Sequence, residues 1–125
     1  MPRLILVIED DQAVAELERD ILTEAGYTVL TGLGEDALRT AQHEHPDLVL
    51  LDLMMGGMDG WTIREGLLRH PATRDIPVIV ITALPADQQD MANMRAITAM
   101  RKPFNINALT KAVRAAIGPP EAAKE

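Results

Sequence analysis

The chain has 125 residues, 47% apolar and 25% charged, enough for one domain that buries its own core and too apolar for a disordered chain. Nineteen acidic residues against twelve Lys and Arg leave a net charge of -7, which argues against direct nucleic-acid binding, since that depends on dense basic charge. Cysteine and serine are both absent, so disulfides, thiolate metal sites, cysteine nucleophiles and serine triads are excluded together.

The first apolar run, Leu4 to Ile8, lacks the alternation of a half-exposed strand and therefore reads as a strand covered on both faces. It runs directly into Glu9-Asp10-Asp11, too short for a signal-peptide core or a membrane span, so a cytoplasmic protein without membrane contact is expected. Helical spacing follows at Val14, Leu17 and Ile21, with Asp10 or Asp11 available as a cap and Gly26 as a stop. A weaker strand is expected at Thr28 to Thr31, then a helix through Ala37, Leu38 and Ala41. Two further buried runs, Leu48 to Leu51 and Pro77 to Ile81, enclose helical spacing at Ile63, Leu67 and Leu68. A fifth strand is expected around Ile97 to Met100, and a last helix from Ile106 to Ile117 with Leu109, Val113 and Ala116 inward, Asn105 as N-cap and Gly118-Pro119-Pro120 as its end.

Strand and helix thus alternate through five βα units. Right-handed crossovers make this a mainly parallel sheet with helices on both faces, a doubly wound α/β sandwich. No internal repeat or composition shift marks a second domain, so residues 1–118 are expected to form one domain and 119–125 a loose tail or the start of a linker.

Ligands of open parallel sheets gather at the carboxyl ends of the strands. Here those ends deliver Glu9, Asp10 and Asp11, then Asp52, Thr82 and Lys102. Helix capping explains an acid before a helix, but not a carboxylate ending a buried strand at Asp52. Carboxylates crowded at a low-dielectric edge repel one another, and a hard divalent cation with oxygen ligands is the simplest remedy. Magnesium suits this set, with Asp10 and Asp52 as ligands and Glu9 holding a bound water. The Lys102 ammonium and Thr82 hydroxyl would face a phosphoryl group, which describes a phosphoryl-transfer site with a carboxylate nucleophile.

These pieces resemble the receiver domain of two-component response regulators. The matching segments are Ile5 to Asp11, Pro46 to Met55 with Met58-Asp59-Gly60, Val80 to Ala83, and Lys102-Pro103-Phe104. The resemblance spans residues 3 to about 117. It implies a flavodoxin-like (βα)5 sandwich with strand order 2-1-3-4-5. It also implies Asp52 as phosphate acceptor, Glu9 and Asp10 as the acidic pair of a Mg2+ site, the Met54 carbonyl as a further metal ligand, and Thr82 and Lys102 as switch hydroxyl and phosphate-pairing lysine. The implied partners are a sensor histidine kinase or histidine phosphotransfer protein, docking on the first helix and the loop after Lys102, and a downstream effector. Such a domain catalyses only its own phosphorylation and dephosphorylation. Whether phosphorylation also dimerises the chain is left open.

The chain departs from the family pattern in ways that bear on output. Ala99 occupies the position of the usual aromatic switch, and Arg95-Ala96-Ile97-Thr98 replaces the common Gly-Ala-Asp-Asp run, so the signalling face is rebuilt. Gly56 stands where proline is frequent. Met54 and Leu84, at two positions that tune lifetime in the family, cannot hydrogen-bond an attacking water, so slow autodephosphorylation is expected.

Rival readings fit fewer residues. Gly32-Leu33-Gly34 with Asp52 downstream imitates a dinucleotide fingerprint, but it begins at the second strand and leaves Glu9, Asp10, Thr82 and Lys102 without a role. An interaction module that signals without phosphate is disfavoured by the intact acids, hydroxyl and lysine. His43 and His45 diverge on a helix and make a poor metal pair, and the cluster Met54, Met55, Met58, Met91 and Met94 fits core filling better than a docking surface.

Overall fold

Along β1 (Leu4–Ile8), Ile5 and Val7 enter one apolar cluster while Leu6 and Ile8 enter another. The same division recurs on β3 (Leu48–Asp52) and β4 (Val78–Thr82), where Leu48, Leu50, Ile79 and Ile81 face one way and Val49, Leu51, Val78 and Val80 the other. These are strands buried on both faces, which is why their sequences show continuous apolar runs. Burying each such side chain contributes about 1.5–3 kcal/mol. The computed structural model describes residues 3–52, 60–82, 98–101 and 105–120.

With β2 (Thr28–Gly32) and β5 (Thr98–Arg101) at its edges, the sheet has the order β2-β1-β3-β4-β5 and is parallel throughout. Helices α1 (Gln12–Glu24) and α4 (Ile106–Ile117) cover the first face through Ala15, Ile21, Leu22, Leu109 and Val113. Helices α2 (Gly34–Glu44) and α3 (Gly60–Arg69) cover the second through Ala37, Ala41, Ile63 and Leu67. The doubly wound sandwich expected from the alternation is therefore the observed fold. A helix between β4 and β5 would fall on residues 83–97, outside the described residues, as do the methionine cluster and Gly56.

Local chemistry accounts for the ends of the helices. Asp11, not Asp10, caps α1: its carboxylate accepts from the amides of Ala13 and Val14 at 3.0 and 3.2 Å. Asn105 caps α4 in the same way, accepting from Asn107 and Ala108 at 2.8 and 3.2 Å. After α1 the chain turns at Gly26 with φ +106, a conformation that favours glycine.

Leu17, which shares its helical spacing with Val14 and Ile21, is 50% exposed, while Glu18 is 2% exposed. Residues 15, 18 and 22 follow i, i+3 and i+7 toward the sheet, which turns Leu17 about 200° from Ala15. Beyond α4, the Pro120 carbonyl accepts from the Arg3 amide at 2.6 Å.

Candidate functional site

β1 and β3 are neighbours with Ile5 opposite Leu48 and Ile8 opposite Leu51. This register brings Glu9, the residue after β1, to the same carboxyl edge as Asp52, the last residue of β3. The clasp at the other end of the pair helps to set it, because the Leu4 amide donates to the Asp47 carboxylate at 2.7 Å and the Asp47 amide donates to the Leu4 carbonyl at 2.7 Å. A slip of one residue would turn Asp52 to the opposite face of the sheet.

Glu9 and Asp52 are each 4% exposed, and Asp10 is exposed. One carboxylate oxygen from each of the three lies within 4.8 Å of the others. Asp11 stands apart from this group as the cap of α1. Thr82 ends β4 one residue beyond the pair Asp52 and Ile81, which puts its backbone at the same edge, and it is paired with Arg101, the last residue of β5. The Thr82 side chain, and Met54, Leu84 and Lys102 altogether, lie outside the described residues. The carboxylate part of the expected site is thus brought together by β1 and β3.

Three carboxylates gathered this closely suit a hard cation. Two oxygens bound directly to Mg2+ at about 2.1 Å stand at most about 4.2 Å apart, so a spread of up to 4.8 Å accommodates two direct ligands and a third carboxylate reached through a bound water. The cluster is consistent with the Mg2+-binding active site of a receiver domain.

Beside the carboxylates opens a cleft of about 450 Å³ lined by Glu9, Asp10, Gln12, Thr31, Asp36 and Thr40 among others. The α2 side of this cleft is not written in the sequence, since the separation of Asp10 from Asp36 and Thr40 along the chain carries no signal of their meeting. Asp36 is itself held by Arg39 one helical turn on. Trp61 sits in the first turn of α3, partly exposed. His43 belongs to the last turn of α2 whereas His45 is the left-handed residue beyond it, so neither joins the carboxylate cluster. The Gly32-Leu33-Gly34 turn lies at the end of the edge strand β2, not at the central β1 where a dinucleotide fingerprint belongs.

The family model for the response regulator receiver domain matches residues 5–114. The chain belongs to this family. Members act as signalling phosphoacceptors, and the Glu9, Asp10 and Asp52 cluster of this receiver is consistent with phosphorelay signalling by Mg2+-dependent aspartyl phosphorylation. The receiver is 39% identical over 120 residues to the DNA-binding dual master transcriptional regulator RpaA of Synechocystis, covering 92% of this chain and 48% of RpaA. It is 27% identical over 121 residues to the polar-differentiation response regulator DivK of Brucella ovis, covering 94% of this chain and 98% of DivK. The chain therefore spans about half the length of RpaA and nearly all of DivK. Among solved structures, the receiver domain of the sensor histidine kinase PA1611 from Pseudomonas aeruginosa, with a magnesium ion in its active-site cleft, superposes with a TM-score of 0.84 at 25% identity, covering 94% of this chain and 99% of that one. Among the described residues no helix is long and apolar enough to cross a membrane.

Proposed function

We propose that this receiver accepts a phosphoryl group on Asp52 from a phosphohistidine of a histidine kinase or phosphotransfer protein and passes the changed state to a protein effector. The observation that carries the reading is the meeting of Glu9, Asp10 and Asp52 within 4.8 Å, with Asp52 ending the buried strand β3. In the transfer step the P–N bond of the phosphohistidine breaks as a P–O bond to an Asp52 oxygen forms, and the imidazole nitrogen keeps the electron pair. In hydrolysis, water attacks phosphorus, the P–O bond to Asp52 breaks, and the carboxylate returns with release of inorganic phosphate.

Asp52 acts as nucleophile, and burial at the strand end keeps it largely out of water. Asp10 and Asp52 are the proposed direct metal ligands, with the Met54 carbonyl a third and Glu9 holding a bound water. When bound, Mg2+ supplies positive charge that neutralises phosphoryl oxygens as the transfer proceeds. That PA1611 holds magnesium in its cleft supports the assignment. Lys102 is assigned to pair with one phosphoryl oxygen and Thr82 to donate to another, which makes them the groups that respond to the added charge. With a net charge of -7, the chain's own contribution to signalling is protein contact and not direct contact with nucleic acid.

The test is incubation of the chain with acetyl phosphate, with Mg2+ and with EDTA, read by intact mass. The expected result is one added phosphoryl group with Mg2+, and none with EDTA or in Asp52→Asn. Equal labelling of Asp52→Asn, or none of the folded wild-type chain, overturns the assignment.

A further inference from the structure

At the edge of the sheet opposite the carboxylates, the segment after α4 is held by Arg3 ahead of β1 and by Gly26 and Tyr27 between α1 and β2. Gly118, with φ +81, turns the chain out of α4, and its carbonyl accepts from the Tyr27 hydroxyl at 2.7 Å. Two residues on, the Pro120 carbonyl accepts from the Arg3 amide at 2.6 Å, while the Arg3 carbonyl accepts from Thr28 at the start of β2. The Pro120 ring lies over Gly26, close enough that a Cβ there would stand 3.0 Å from two of its carbons. Tyr27 is 4% exposed and belongs to the apolar cluster that contains Leu109 and Val113 of α4, with Ala116 and Ile117 packed against it. Two hydrogen bonds, a buried aromatic ring and a proline seated on a glycine make a built attachment.

We propose that residues 118–120 form a latch that pins the far end of α4 to the amino-terminal edge of the sheet, so that α4 moves as a lever about that end. The helix is 12 residues, about 18 Å, long, and its other end begins at Asn105, four residues after β5 closes at Arg101 on the carboxyl edge. Sliding the whole helix would break both latch hydrogen bonds and uncover Tyr27, whereas pivoting preserves them. A displacement that starts beside the carboxylates is therefore largest from Asn105 to Thr110 and vanishes at Gly118. The latch itself is independent of phosphorylation; its part in signalling rests on Asp52 being the acceptor.

Residue-resolved amide exchange and backbone chemical shifts of the full chain test this in wild type, Tyr27→Phe and Pro120→Gly, with Mg2+ and then with Mg2+ and beryllium fluoride. Phe keeps the ring in the core and removes only the hydroxyl, while Gly removes the proline contact without touching Tyr27. Both variants are expected to speed exchange of the Arg3 amide by about fivefold, the loss of one ordinary hydrogen bond, while Leu6 and Leu50 change no more than the variant's global stability does. In wild type, beryllium fluoride is expected to shift residues 105–110 and leave Arg3, Tyr27 and Gly118 in place; in the variants the shifts extend to Gly118. Unchanged Arg3 exchange in both variants overturns the latch, and wild-type shifts at Gly118 as large as those at Ile106 overturn the pivot. If the exchange results are as expected but beryllium fluoride shifts nothing, the Asp52 assignment fails and the lever loses its role, while the latch stands.

Discussion

Leu4 is clasped twice by Asp47, whose carboxylate accepts from the Leu4 amide and whose own amide donates to the Leu4 carbonyl, both at 2.7 Å. This double bond ties the starts of β1 and β3 together, and the two strands then run in register until they deliver Glu9 and Asp52 to the opposite edge. Asp47→Ala leaves the part-buried Leu4 amide without its side-chain acceptor, at a cost of about 1–3 kcal/mol. Urea unfolding is expected to show that loss, and Asp47→Asn, which keeps an acceptor oxygen, to recover most of it.

The carboxylate cluster makes stability depend on the cation. Without divalent ions, Asp52→Asn relieves repulsion among three acids within 4.8 Å and is expected to raise stability by on the order of 1 kcal/mol. With Mg2+ at 100 times its Kd the wild type gains about 2.7 kcal/mol, and the variant, with one ligand weakened, gains less. Paired denaturation curves in EDTA and in Mg2+ are expected to cross over in rank; a variant less stable than wild type in EDTA would contradict the repulsion argument.

Burial raises the Tyr27 hydroxyl above its ordinary pKa of 10.0, against the opposing pull of Arg114 and Arg3. The unfolded chain loses this proton near 10 while the folded chain retains it. The contribution is thus fully present below pH 10 and is lost as pH rises through the folded value. Tyr27→Phe is expected to cost about 1 kcal/mol at neutral pH for the lost bond to Gly118, and to show a shallower alkaline decline than wild type. Thermal melts from pH 8 upward measure both.

Where α2 meets α3, a Cβ on Gly66 would stand 2.8 Å from Cδ1 of Leu38. Gly66→Ala gains up to about 1 kcal/mol of helix propensity, offset by displacement of a flexible leucine tip, and is expected to be close to neutral. Gly66→Val adds bulk that this adjustment does not absorb and is expected to cost about 1–3 kcal/mol in chemical denaturation.

The lifetime of the acyl phosphate is expected to be long because Met54 and Leu84 offer no group to orient an attacking water. Met54→Asn together with Leu84→Glu is expected to speed hydrolysis by roughly tenfold, the scale of positioning a water. Following the phosphorylated fraction by intact mass after removal of acetyl phosphate gives the rate, and equal decay in both proteins would refute the assignment.

The layered core was legible because both faces of β1, β3 and β4 are covered, leaving uninterrupted apolar runs. The bounds of α4 were legible because Asn105 and Gly118 mark them chemically. The apolar spacing of α1 does not reveal that Glu18 is buried and Leu17 exposed, because this runs against hydrophobicity and follows from how the helix rotates onto the sheet. Asp10 and Asp11 were equivalent as caps until backbone geometry gave that role to Asp11.

What the amino-acid order determined by itself was the alternation of buried strands with helices and the chemical types that end each strand, because both are properties of short segments. Only the folded chain decided that Glu9, Asp10 and Asp52 share one small volume, that Asp47 locks β1 to β3, and that Pro120 returns to Arg3. Those contacts join residues tens of positions apart, and their partners are chosen by sheet register and helix rotation, which no local pattern encodes.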